Sequence, residues 1–163
     1  GDVDVASDMP VRRVAAFRDI DGQMLSAEAA AVEIINMLRP TVAVGRFVAF
    51  AAVQLHEKPS WISVLREGPD ERREQFAEEV RRFSPFFPFI GARTREEIRW
   101  RGHVFPKGQW LLLDLYGTTH DPPIFPQPEE FRIDRSLCWR DQGYNFIPQG
   151  AGPAATSHRC PEK

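Results

Sequence analysis

Four places in this 163-residue chain carry side chains whose types and spacing could do chemistry. One is the closing stretch "FIPQGAGPAATSHRCPEK", residues 146–163, which has neither helical nor strand period and delivers Cys160 after His158 and Arg159. Positive charge and open backbone amides stabilise a thiolate, the form of cysteine that acts as nucleophile or metal ligand. His158, two residues before the thiol, is badly placed to serve as its base, and a buried inert thiol is the ordinary alternative. A second place is Arg39-Pro40, inside a very apolar run. Proline there leaves the carbonyl of Asn36 without its donor, at about 3 kcal/mol or more. A guanidinium beside that break either snorkels to water or stands as a fixed cation for a carboxylate, which its planar fork grips on two oxygens. Arg46, two turns on along the same face, competes for that role. A third is "EVRRFSP", where Glu79 and Arg82 stand one turn apart, a spacing that Glu78 and Arg81 share. The fourth is "PEEFRIDR", residues 128–135, a proline-led charged segment that is either a solvated loop or a lock onto the preceding helix.

The elements that must position these residues follow from composition and period. The chain is 42% hydrophobic and 27% charged with a net charge of −2, a globular balance of about one domain's length. That charge supplies no electrostatic ground for nucleic acid or an anionic membrane as partner. Two cysteines, Cys138 and Cys160, make no disulfide framework, and no CxxC spacing suggests structural zinc. The acidic N-terminus lacks an apolar signal segment. The longest uncharged run, Phe47 to His56, is too short to span a bilayer, so no stable membrane insertion and a cytoplasmic setting are expected. The first residue is Gly rather than Met, consistent with a piece of something longer.

Residues 27–57 read as a long helix, apolar on nearly every face and therefore expected to be central and buried on most sides. A short helix lies within "KPSWISVLREGPD". Residues 71–84 form a charged amphipathic helix with Phe76, Val80 and Phe83 along one side, stopping before Pro85. Residues 95–116 alternate, turn at Pro-Lys-Gly and read as a β-hairpin. From residue 121 to 163 proline and glycine dominate, and a segment of that length without regular structure usually wraps something or serves a function. The expected fold class is mainly α with a small β-sheet (α+β).

In this order the features resemble the C-terminal part of a cytochrome P450. "EVRRFSP" matches the superfamily's E-x-x-R-x-x-P and sets the register at Glu79 and Arg82. "FRIDR" is similar to its F-x-P-E-R, with Ile133 and Asp134 in place of Pro and Glu. The Phe-led, Gly-rich stretch before Cys160 is similar to its haem-ligand loop. "LRPTVAV", "QLHEKP", "EVRRFSPFFPFIGA", "LLLDLYGTTHDP" and "FIPQGAG…SHRCPE" resemble one branch in particular, the bacterial fatty-acid peroxygenases. The resemblance covers about residues 30–161.

What the resemblance implies is specific. The fold would be part of a single haem-thiolate domain, residues 1–163. Cys160 would be the axial ligand to the iron of haem b, iron protoporphyrin IX, with His158 and Arg159 assisting at the propionates or the loop. Arg39, beside Pro40, would hold the carboxylate of a long-chain fatty acid, and Phe86 would line the alkyl channel. That carboxylate would act as general acid–base for hydrogen peroxide, and the Cα or Cβ position would be hydroxylated without a redox partner. Glu79, Arg82 and Arg135 would form a structural network behind the haem. Two positions depart from the pattern: Ser157 and Glu162 stand where the family has glycine. The chain would then be a fragment or truncated product. A redox-partner-dependent monooxygenase, a fatty-acid decarboxylase and a non-catalytic fragment that binds no haem are the competing readings.

Overall fold

The structure, a computed structural model, describes residues 9–135, 143–153 and 156. It is mostly helical with two small antiparallel ladders. It divides into two compact units, Gly1–Arg46 and Phe47–Lys163, and the division falls inside one helix.

In the first unit, helix α1 (Pro10–Ala16) begins with proline, whose missing N–H costs nothing at a helix start, and buries Val14. Helix α2 (Ala27–Glu57) starts at Ser26, whose hydroxyl accepts from the Ala29 amide at 3.1 Å. It continues through Pro40 for 31 residues. The expectation that α2 is buried on most sides does not hold. Gln54 is its one buried side chain, whereas Val32, Ile35, Leu38, Val42, Val48 and Val53 are exposed. By length and a mean hydropathy of 1.3 over its most apolar stretch, α2 is long and apolar enough to cross a membrane. Its apolar character therefore does not by itself produce burial; cover has to come from other elements, and the described residues leave Ala29, Ala30, Ile34 and Ala43 half-buried and bury Gln54 alone, in the last three turns.

Those turns belong to the second unit. Phe47, Phe50, Ala51 and Leu55 pack against a core of Phe76, Val80 and Ile133, joined by Trp61, Leu65 and Phe131. Helix α3 (Ser60–Glu67) provides Trp61 and Leu65. Helix α4 (Asp70–Phe83) provides Phe76 and Val80, four apart and thus on one stripe. Asp70 and Glu71 in its first turn and Arg81 and Arg82 in its last oppose the helix dipole favourably. Arg73 donates to the Leu65 carbonyl at 2.6 Å, closing the end of α3 from the neighbouring helix. Phe131 is the hub of the aromatic packing, with ring centroids 5.4 Å from Phe76, 5.7 Å from Phe83 and 6.3 Å from Trp61.

The expected hairpin over 95–116 is two ladders instead of one. Strand β2 (Ile98–Trp100) pairs with β3 (His103–Phe105), and the turn between them is Arg101-Gly102. Both turn residues have positive φ, 47° and 82°, which gives a two-residue loop the twist that matches its strands. Pro106-Lys107-Gly108 turns the chain from one ladder to the other. Thr94 pins it by exchanging backbone bonds with Gly108 and Gln109 at 2.9 and 3.0 Å. Strand β4 (Trp110–Asp114) then pairs with an earlier strand that alternation missed, β1 (Phe89–Arg93), in the register Phe89↔Asp114 to Arg93↔Trp110. Gly91 makes that pairing close: a Cβ there would lie 3.2 Å from Leu112 and Trp110 side-chain carbons. The chain leaves β4 into a short helix, α5 (Leu115–Thr119), capped by Asp114 accepting from the Gly117 amide at 2.8 Å.

Phe76→Ala would leave a cavity that Trp61 and Phe131 cannot fill, at about 3–5 kcal/mol. The denaturant midpoint should fall with the slope unchanged; a variant that unfolds like the parent would show the aromatic cluster is not the core.

Candidate functional site

The most fully enclosed chemistry in the described residues is a carboxylate between two guanidiniums. Glu79 and Arg82 lie one turn apart on the inner side of α4, and both side chains are 0% exposed. Glu78 and Arg81, with the same spacing, stay half-buried, so packing resolves the register that spacing left open.

Arg82 grips Glu79 with two parallel bonds, Nε to Oε2 at 2.9 Å and Nη2 to Oε1 at 2.7 Å. Its remaining N–H groups go to the carbonyls of Thr119 (3.1 Å), Pro128 (2.9 Å) and Glu130 (3.1 Å). All five guanidinium donors are thereby used. Glu79 Oε1 also accepts from the backbone N–H of Arg132 at 2.9 Å and from Nε of Arg135 at 3.1 Å. Arg135 in turn donates to the carbonyls of Pro126, Gln127 and Glu130. Two cations share one anion, and the ring of carbonyl oxygens supplies the missing negative potential. Gln127 adopts a left-handed φ of 53° in presenting its carbonyl. Phe125, 1% exposed, closes the site with its ring 5.7 Å from the Arg82 guanidinium.

The lock expected of "PEEFRIDR" is therefore made, chiefly by backbone. Ile133 enters the core. Asp134 takes both oxygens of its carboxylate to Arg132, at 3.1 and 3.0 Å, and the hydrogen bonds from that guanidinium hold its carboxyl below the usual range. The carbonyls of Thr119, Pro126, Gln127, Pro128 and Glu130 were not legible in advance, because a carbonyl's role carries no residue type. The one usable signal was the density of proline between residues 122 and 128, which keeps N–H groups scarce and acceptors free.

Arg39 and Pro40 lie in α2, both exposed, and Arg39 donates from Nη1 to Asn36 Oδ1 at 3.3 Å. Phe86, in the second unit, is half-buried, with its ring 6.0 Å from Phe47 and 4.4 Å from Phe87. Cys138, His158, Arg159 and Cys160 fall outside the described residues, as do Ser157 and Glu162. Of the stretch before Cys160, Phe146 is buried, and Gly150 and Gly152 hold φ of 94° and 79°, open to glycine and hardly to anything else. Their amides donate to Ile147 and Gly143 carbonyls at 3.0 and 3.1 Å, coiling the chain tightly. Among the described residues no group of three or more His, Cys, Asp or Glu could hold a metal ion.

Against known proteins, the family model described as Cytochrome P450 matches residues 74–155. Rhazimal synthase of Alstonia scholaris is 28% identical over 71% of this chain and 28% of its own length. Cytochrome P450 27C1 of Danio rerio is 41% identical over 45% of this chain and 14% of its own. Among solved structures, cytochrome P450SP alpha in complex with (R)-ibuprophen is 42% identical with a TM-score of 0.79, over 93% of this chain and 37% of that one. Cytochrome P450EX alpha with myristic acid is 42% identical with a TM-score of 0.74, over 91% and 36%. An OleT variant in complex with arachidonic acid is 36% identical with a TM-score of 0.76, over 91% and 35%. The chain thus spans well under half the length of the proteins it matches.

Glu79→Ala should cost about 3–5 kcal/mol, because it strands two buried guanidiniums. Urea unfolding at neutral pH measures it; a loss under 1 kcal/mol, the scale of a surface pair, would show that the network is solvated.

Proposed function

The chain belongs to the cytochrome P450 family, and from that premise we propose that it is the C-terminal portion of a fatty-acid peroxygenase. The enzyme hydroxylates long-chain fatty acids at the α or β carbon with hydrogen peroxide as co-substrate and requires no redox partner. The observation that carries this reading is Arg39. It is a guanidinium on an apolar helix, followed by proline, and its described partner is a neutral amide rather than a carboxylate. The similar structures with (R)-ibuprophen, myristic acid and arachidonic acid each hold a carboxylic acid, the group a planar guanidinium binds on two oxygens.

Haem b suits the donor chemistry available: a thiol, Cys160, closes a stretch in which Gly150 and Gly152 hold backbone conformations that carry no side chain. Cys160 would hold the iron, with His158 and Arg159 assisting at the propionates or the loop. When bound, haem supplies the centre that activates peroxide and oxidises the alkyl carbon. The chain's own residues do the rest. Arg39 fixes the substrate by its carboxylate and so determines which carbons are presented. The carboxylate it holds is also the local proton carrier: Pro40 has no N–H, and among residues 40–45 the one side chain with an exchangeable proton is Thr41, a hydroxyl far too weak an acid to replace a carboxyl group. Phe86, packed on Phe47, gives the alkyl chain an apolar wall. Glu79, Arg82 and Arg135 hold the loops that lead toward the thiol.

We read α2 as a helix covered by protein and the enzyme as cytoplasmic. Glu33, Arg39 and Arg46 would each cost roughly 2.5–3.5 kcal/mol near a bilayer centre, and Pro40 removes a backbone bond as well.

Arg39→Ala in the haem-loaded enzyme should lower peroxide-driven fatty-acid turnover about a hundredfold or more, as loss of an oriented substrate does; undiminished turnover would sink the reading. Cys160→Ala should abolish the carbon monoxide difference band of thiolate-ligated haem in the reduced protein. If the band survives, another residue is the ligand.

A further inference from the structure

Asn36 is an odd residue for its place. It stands in the tenth position of a long helix, where asparagine is a poorer helix former than alanine because its amide competes for backbone groups. The helix ladder is already open there, because Pro40 cannot donate to the Asn36 carbonyl. A second unfavourable choice one turn from the first calls for a reason, and the contact it makes supplies one. Asn36 Oδ1 accepts from Arg39 Nη1 at 3.3 Å.

The residues that can reach Arg39 from within the helix are those three and four positions away: Ile35, Asn36, Val42 and Ala43. Asn36 is the single polar group in that set. Glu33, six positions back, is not among these neighbours, and among the described residues Arg39 is in no ion pair. The one bond to Asn36 uses one guanidinium donor of five and leaves the charge uncompensated. An aspartate of the same size at this position would make an ordinary i,i+3 ion pair and remove the net positive charge.

We infer that Asn36 is a positioning residue for carboxylate recognition: its neutral amide orients the Arg39 guanidinium along α2 while leaving the charge free for an incoming anion. The inference rests on the reading of Arg39 as the substrate's anchor, and it goes beyond that reading by assigning selectivity for anionic over neutral chains to the 36–39 pair. The substrate's carboxylate would meet the four remaining N–H groups, with the Asn36 amide NH₂ beside them as a further donor.

Calorimetric titration of the haem-loaded protein with two probes of equal chain length, myristate and 1-tetradecanol, tests this. Asn36→Asp should weaken myristate about tenfold or more, the size of a lost charge-assisted contact, and leave tetradecanol within about twofold. Asn36→Ala, which lacks the orienting bond but keeps the charge free, should weaken myristate by a smaller factor, about three- to fivefold, with tetradecanol again unmoved. Circular dichroism matching the parent establishes that each variant is folded. Equal weakening of both probes in the two variants would overturn the inference, since a merely structural asparagine would act on any ligand. Parent-like myristate binding by Asn36→Asp beside a clear loss in Arg39→Ala would also overturn it while leaving Arg39 as the anchor. Parent-like binding by Arg39→Ala would instead remove the anchor reading on which it stands.

Discussion

A carboxylate and a guanidinium with no solvent exposure set the terms for everything around them. Removing Glu79 and Arg82 from water costs several kcal/mol each, and their mutual attraction repays this only if every remaining donor and acceptor is met. The geometry meets that condition: five donors on Arg82 find five acceptors, and Glu79 receives four bonds. Most of those partners are main-chain groups of residues 119–132, a stretch that after α5 has no helix or strand to hold it. The pair therefore works in both directions. The loop makes the burial of the ions tolerable, and the ions give an irregular backbone one shape.

The aromatic cluster depends on the same arrangement. Phe131 and Ile133 flank Arg132, whose amide is bonded to Glu79, so fixing that amide places both apolar side chains against Phe76 and Val80. Phe83 follows Arg82 directly and packs on Phe131 at 5.7 Å. Polar and apolar parts of the second unit are thus alternate residues of the same two segments. A change that moves one moves the other.

The first unit has a different logic. Its helix is exposed over most of its length, and its chemistry is local: a proline that opens the ladder, an arginine one residue before it, and an asparagine one turn further back. These three residues need no tertiary contact to be brought together, because helical spacing does it. Under the function proposed above, anchoring of substrate and support of the thiol loop would be divided between two parts of the chain.

That contrast also marks what could be read without coordinates. The extent of α2, the amphipathic stripe of α4 and the adjacency of Arg39 to Asn36 and Pro40 follow from periods of three to four residues, and periods are properties of sequence. The choice of Glu79–Arg82 over Glu78–Arg81 did not follow from spacing, since both pairs obey the same rule; resemblance to a family picked the register, and burial of one pair explains it. The strand β1 was invisible because "FIGAR" is short and exposed on both faces, so it shows no alternation, and its identity comes from pairing with β4 twenty residues away. The hairpin turn was misplaced because Pro-Lys-Gly is the louder turn signal, while Arg101-Gly102 has the backbone twist that two-residue hairpins need. Apolar composition alone suggested that α2 is buried, but burial is a relation to other elements and no helix possesses it by itself. Sequence alone determined the local chemistry, namely which cation, carboxylate and thiol are present and at what helical spacing. Only the tertiary structure decided which of them are withdrawn from water, because desolvation depends on distant carbonyls and rings that no local pattern encodes.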